Sequence, residues 1–176
     1  MKKITRSLIF CCALSLSLVA CSDDNTDTNT LNDTDKNFVM KASMGNTAEV
    51  GAGALAATKG EDDMIKTFGQ MMVMEHGTAQ TDLKSAGADV GITVKDSVDA
   101  SHVALLQMLQ VMTGREFDST YIVNQIADHE KTIADFQAEL SSGNNSVIKN
   151  FANTYLPKIQ LHLQKADSIA TVMNFK

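Results

Sequence analysis

The chain has 176 residues, of which 44% are hydrophobic and 20% charged, so it is long enough to bury one sizeable hydrophobic core. Acidic side chains outnumber basic ones by 21 to 15, and the formal charge of -6 excludes charge-driven binding to nucleic acid or to anionic lipid headgroups. All three cysteines lie within the first 21 residues, which leaves no thiol further along for a disulfide, a thiolate metal site or a nucleophile.

The start of the chain has the pattern of a lipoprotein export signal. Three basic residues, at positions 2, 3 and 6, precede an apolar run over residues 8–20 that is too short to span a bilayer. The run ends in Leu-Val-Ala-Cys, which is a lipobox closing at Cys21. We expect residues 1–20 to be removed and Cys21 to carry the lipid that holds the protein on a membrane. An ordinary signal peptide cut after Ala20 is the alternative.

Residues 21–34 are predicted to be a disordered tether behind the lipid. The stretch 22–34 is almost wholly Asp, Asn, Thr and Ser, a composition that cannot bury a core. Ser22, directly after the lipidated cysteine, is not the aspartate that retains enterobacterial lipoproteins at the inner membrane. By that resemblance the outer membrane is favoured, with the periplasmic face and the cell surface both open.

Residues 35–176 are predicted to form one all-α domain. No strand-like alternation lasts long enough to compete with the helical period, and the one proline, Pro157, comes late in the chain. Gly60, Gly114 and Gly143 mark breaks between helical segments. The sequence predicts an antiparallel bundle of four long helices with one short crossover helix. The five predicted helices cover residues 35–58, 61–86, 97–112, 115–140 and 146–173.

Histidines interrupt the apolar stripes of three long helices. Residues spaced by three and four along the second, fourth and fifth helices are apolar except at His76, His129 and His162. The first helix instead has a stripe of small residues with one carboxylate, Glu49. Because such stripes face the core of a bundle, all four polar side chains are predicted to be buried.

The four side chains are also predicted to lie at one level. Each is within about three residues of its predicted helix midpoint, and an α-helix rises about 1.5 Å per residue. Three imidazoles and one carboxylate suit a single zinc, copper or iron ion. The candidate ligands are His76, His129, His162 and Glu49.

Glu75 and Asp128, which directly precede two of the histidines, are candidate partners that orient the ligands. Both lie about 100° around the helix from the histidine that follows, so facing solvent is the alternative for each. The histidines themselves also have a second interpretation. Neutral imidazoles bonded to carboxylates or tyrosine hydroxyls would form a structural polar layer that fixes helix register without a metal.

A repeated residue pattern relates the second and fourth helices. An aromatic residue, an acid, the histidine, an aspartate and a large apolar residue recur at an offset of 53 positions, which suggests a duplicated helix. The matched sets are Phe68, Glu75, His76, Asp82 and Leu83 against Tyr121, Asp128, His129, Asp135 and Phe136.

Motifs spread over residues 37–170 together resemble the exported bacterial proteins grouped as domain of unknown function 4142, often labelled outer membrane proteins. They are FVMKAS at 38–43, EV at 49–50, FGQMM at 68–72, EH at 75–76, FD at 117–118 with Tyr121, DHEK at 128–131, LP at 156–157 and HL at 162–163. The resemblance implies a ferritin-like bundle in the cell envelope and assigns no activity.

The pattern departs from that of ferritin-like di-iron proteins, which carry Glu-x-x-His pairs. Val73, Ile126 and Ile159 stand three residues before the three stripe histidines, so ferroxidase or oxygenase chemistry is not predicted. Two classes remain, both without an assigned catalytic residue. One is an envelope lipoprotein that binds a metal ion in its bundle. The other is a structural or interaction bundle whose protein or glycan partner the sequence does not name.

Overall fold

The computed structural model describes residues 29–175, and these residues form five α-helices without a strand. Helix α1 covers Asp33–Lys59, α2 Asp63–Asp89, α3 Ala100–Val111, α4 Gly114–Ser142 and α5 Ser146–Val172. Every bound lies within three residues of the sequence prediction, so the all-α architecture with a short extra helix is confirmed. In this part of the chain, no helix combines the length and apolar character that a membrane span requires.

Capping side chains determine where the helices begin. The side chain of Asn32 accepts a hydrogen bond from the Asp35 amide, and the Asp35 carboxylate accepts one from the Asn32 amide. This reciprocal pair starts α1 two residues earlier than predicted. Asp99 caps α3 with one hydrogen bond, which it accepts from the His102 amide, and this moves the start from residue 97 to Ala100.

The folded domain also begins earlier than the predicted bound at residue 35. Asn144 donates a hydrogen bond from its side chain to the Thr30 carbonyl, and Asn145 donates one to the Asn29 carbonyl. These bonds attach the last residues of the predicted tether to the turn between α4 and α5, where the carbonyl groups of Asn29 and Thr30 are the acceptors. The predicted signal peptide, Cys21 and tether residues 22–28 lie outside the described residues.

The long helices form two antiparallel hairpins packed side by side. Helices α1 and α2 form one hairpin and α4 and α5 the other, with α1 beside α4 and α2 beside α5. The start of α1 meets the end of α4, where Asn32 donates to the Ser142 carbonyl. Helix α3 crosses over the side formed by α1 and α4. The predicted ferritin-like antiparallel bundle is confirmed, with α2 and α4 on one diagonal.

Small residues let α1 and α2 approach closely. A Cβ atom at Gly53 would lie 2.7 Å from the Gly69 carbonyl oxygen, and one at Gly69 would lie 2.6 Å from the Gly53 carbonyl oxygen. Neither position accepts a larger side chain without moving backbone. This contact explains why α1 buries only glycine and alanine after Glu49, at Ala52, Gly53 and Ala56.

The core consists of two apolar clusters, one towards each end of the bundle. Aromatic rings dominate the cluster near the α4–α5 turn, where the Phe38 and Phe136 rings lie 4.8 Å apart edge to face. The other cluster contains Ile65, Phe68 and Tyr121 with the buried residues of α3. Buried polar side chains lie between the two clusters, at the level where the sequence places the histidines.

Two buried carboxyl groups meet where the chain enters the bundle. Asp35 accepts hydrogen bonds from the amides of Asn144 and Asn145, the carboxyl oxygens of Glu139 have no hydrogen-bond partner among the described residues, and neither carboxyl is exposed. Burial and the nearby Asp35 carboxyl raise the pKa of Glu139 to about 7, from an ordinary value near 4.5. Glu139 is therefore protonated in the folded protein at mildly acidic pH.

The raised pKa of Glu139 predicts that the stability of the folded protein depends on pH. Because folding raises the pKa of Glu139, its contribution is fully present below about pH 4.5 and is lost as the pH rises through about 7. Glutamine has nearly the same shape as a protonated glutamate and does not titrate. We expect Glu139→Gln to match the parent at pH 5 and to unfold several degrees higher at pH 8, measured by circular dichroism. Equal melting temperatures at both pH values would contradict this assignment.

Candidate metal site

Three histidines from three helices meet at the centre of the bundle. His76 comes from α2, His129 from α4 and His162 from α5, and each is at most 5% exposed. The centroids of their rings are 5.2 to 5.6 Å apart. The sequence prediction that these three side chains share one buried layer is confirmed.

His76 is oriented by an asparagine of α1. Its Nδ1 lies 2.9 Å from Oδ1 of Asn46, which can only accept, so Nδ1 carries the proton. The Asn46 amide nitrogen donates in turn to Gln80, which fixes the asparagine orientation. Nε2 of His76 is buried without a hydrogen-bond partner, and its lone pair is free.

His129 is oriented by its own helix. Its Nδ1 lies 2.8 Å from the carbonyl oxygen of Gln125, one turn earlier in α4, and donates to it. The opposite nitrogen, Nε2, is buried and has no partner. His129 therefore presents the same tautomer as His76, with an available Nε2.

His162 presents the other tautomer. Its Nε2 lies 2.9 Å from Oε2 of Glu75 and donates to that carboxylate across the α2–α5 interface. Nδ1 is the buried nitrogen that remains without a partner. Each of the three imidazoles thus has one nitrogen held by an acceptor and one free, which is the arrangement that metal-binding histidines show.

The three imidazoles are close enough to share an ion. One ligand atom from each histidine lies within 4.8 Å of the corresponding atoms of the other two. Three atoms at such separations have a common point no more than about 2.8 Å away, and a bond from zinc to a histidine nitrogen is about 2.0–2.1 Å long. Side-chain shifts of less than about 1 Å would therefore complete the coordination.

The surroundings keep the three imidazoles uncharged. Burial lowers the pKa of His76 well below its usual value, and the neighbouring His129 and His162 lower it further. Burial also lowers the pKa of His129, and it outweighs Glu75 in lowering that of His162. Neutral imidazoles at neutral pH have the lone pairs that a transition-metal ion needs.

The structure does not bring Glu49 to the three free nitrogens. Its Oε1 lies 3.8 Å from Nδ1 of His129, the ring nitrogen that donates to the Gln125 carbonyl, and its Oε2 accepts from the Gln125 side chain. Burial raises the pKa of Glu49 to about 7. Glu49, which the sequence predicts as the fourth ligand, therefore lies outside the group of three that the structure brings within 4.8 Å, because Gln125 of α4 holds its carboxyl oxygen.

Glu75 and Asp128 have different surroundings despite their equivalent positions in the repeated pattern of α2 and α4. Glu75 bonds His162 of the neighbouring helix, although it precedes His76 in the chain. Asp128 lies 3.6 Å from Nε2 of His102 on α3, and Asp99 holds Nδ1 of that ring. Asp128 thus connects α4 to the crossover helix and does not orient one of the three central imidazoles. The nearby carboxylate of Asp128 raises the pKa of His102.

Two of the groups that orient the histidines are not among those predicted from the sequence. Asn46 lies three residues before Glu49 in α1, so the spacing of the stripe could have revealed it. The Gln125 carbonyl is a backbone group, and no residue type marks it.

Comparisons with known proteins agree with this architecture. A family model described as a domain of unknown function (DUF4142) matches residues 21–169. The bundle is similar to the crystal structure of a DUF305 fragment from Deinococcus radiodurans, with a TM-score of 0.70 and 8% sequence identity over 80% of this chain and 97% of that one. At that identity the likeness shows the fold alone. No curated protein matches the chain significantly.

Proposed function

The chain belongs to the DUF4142 family, whose description assigns no activity, and we propose that its bundle binds one transition-metal ion through His76, His129 and His162. Two observations carry this proposal: each of the three buried, neutral imidazoles has one unpartnered ring nitrogen, and one ligand nitrogen from each ring lies within 4.8 Å of those of the other two. Zinc, copper and iron are the candidate ions, because each accepts imidazole nitrogen.

A purely structural polar layer explains the same atoms less well. A buried acceptor without a hydrogen bond costs roughly 1–3 kcal/mol, and three of them here lie close together. A layer that serves only to fix register would instead be expected to pair its nitrogens with one another or with nearby side chains. One bound ion satisfies all three lone pairs at once.

Binding is favoured over catalysis because little space adjoins the histidines. Two cavities that touch them have volumes of about 30 and 10 Å³; the larger has room for water, and neither has room for an organic substrate. The alternative is a structural or interaction bundle in which the histidine layer stays free of metal, with a partner still to be identified.

The proposal also places the domain at a membrane through the lipid on Cys21. The described part of the chain begins at residue 29 beside the α4–α5 turn. Because Ser22 is not the aspartate that retains enterobacterial lipoproteins at the inner membrane, the outer membrane is the proposed location, and the lipid is the proposed contact with it.

Metal content and thermal stability test the proposal. The purified protein should hold about one equivalent of Zn²⁺, and a hundredfold excess over the dissociation constant should raise its melting temperature by roughly 5–10 °C. His102→Ala is the matched control, because His102 is the one histidine outside the cluster. It should bind the ion as the parent does. Zinc, copper and iron all leaving the parent unchanged would favour the structural layer.

A further inference from the structure

A small cavity connects the surface between α1 and α4 to the histidines. Its outer wall includes Lys41 and Asp135, whose side chains form an ion pair with the lysine about half exposed. Its inner wall includes His76 and His129, both almost fully buried. The cavity therefore extends from solvent to two of the three rings that carry free nitrogens.

A glycine in the middle of α1 leaves this cavity open. Gly45 lines it, and a Cβ atom built at that position would meet nothing within 4 Å. Glycine inside a helix costs roughly 1 kcal/mol relative to alanine, and at Gly53 and Gly69 close backbone contact compensates for that cost. Gly45 has no such contact, and it lines the open space beside His76 and His129.

The volume of about 30 Å³ limits what the cavity holds. It accommodates a water molecule or a bare metal ion and excludes any larger ligand. Glu49 also lines the cavity, so a water there has a carboxyl group beside it. On the opposite side of the bundle, the cavity bordered by His162 and Lys158 has only about 10 Å³ and is below what one water needs.

From this geometry we infer that the α1–α4 cavity is the route by which the ion and one water-sized ligand reach the histidines, and that Gly45 holds the route open. The inference rests on the proposed metal site. It adds where the ion enters the bundle.

The rate of Co²⁺ uptake, followed by visible absorption, tests the route. Gly45→Leu places a side chain in the cavity and should slow uptake at least tenfold while the final stoichiometry stays at one ion. Gly77→Leu is the matched control, because Gly77 is also a helical glycine with nothing within 4 Å but lies outside this cavity. It should take up Co²⁺ at the parent rate.

A second variant that fills the cavity tests the route if Gly45→Leu does not fold. Thr132 lines the cavity from α4, and Thr132→Leu should also slow uptake. If either variant has a native circular dichroism spectrum and still takes up Co²⁺ at the parent rate, the proposed route is wrong. A parent that binds no Co²⁺ at all would instead count against the proposed function, so the two failures are distinguishable.

Discussion

Replacing His76, His129 or His162 by alanine, one at a time, is expected to lower the affinity for Zn²⁺ by about 100-fold or more. Changing a residue that only orients a metal ligand typically costs 10–100-fold, and removal of a ligand costs at least as much. Each free nitrogen supplies one of only three protein ligands here. Isothermal titration measures the loss, and the melting temperature of each variant should no longer respond to the ion.

The three variants should also be less stable than the parent without metal. His76→Ala removes the donor to Asn46, and His162→Ala leaves the carboxylate of Glu75 without its partner. Such destabilisation alone does not discriminate, because a structural layer predicts it too. Parent-like zinc affinity in any one variant would remove that histidine from the site.

Cys21→Ser is expected to abolish lipid attachment and to leave an unprocessed precursor. The thiol of Cys21 is the atom that would receive the lipid, and the peptidase recognises the modified cysteine, so both steps fail together. Metabolic labelling with a radioactive fatty acid measures the first step, and the size of the protein on a denaturing gel measures the second.

Cys12→Ser is the matched control for this prediction, since it removes a thiol from inside the predicted signal peptide. It should be labelled and processed like the parent. Normal maturation of Cys21→Ser would show that the chain is not a lipoprotein, and the proposed location would then fail with it.

The helices and the histidine layer could be predicted because both follow from local spacing. Apolar residues at steps of three and four define one face of each helix, and in a bundle that face is buried in the core. In antiparallel helices of similar length the midpoints coincide, so three histidines near midpoints meet. Both arguments need only the sequence of each helix.

The partners of the histidines could not be predicted, because they depend on which helix is the neighbour. Glu75 and Asp128 occupy equivalent positions, one residue before a histidine. Glu75 faces α5 and meets His162, whereas Asp128 faces the crossover helix and meets His102. Rotation of α1 by part of a turn likewise decides that Asn46, and not Glu49, bonds the ring of His76.

Long-range proton–nitrogen spectra of the protein labelled with ¹⁵N-histidine test the central claim most directly, because they report every ring nitrogen separately. At pH 7 without metal, His76 and His129 should carry their proton on Nδ1 and His162 on Nε2. One equivalent of Zn²⁺ should then shift Nε2 of the first two rings and Nδ1 of the third, and leave His102 unchanged. Ring nitrogens of the three that stay unshifted at saturating Zn²⁺, Cu²⁺ and Fe²⁺ would contradict a metal site.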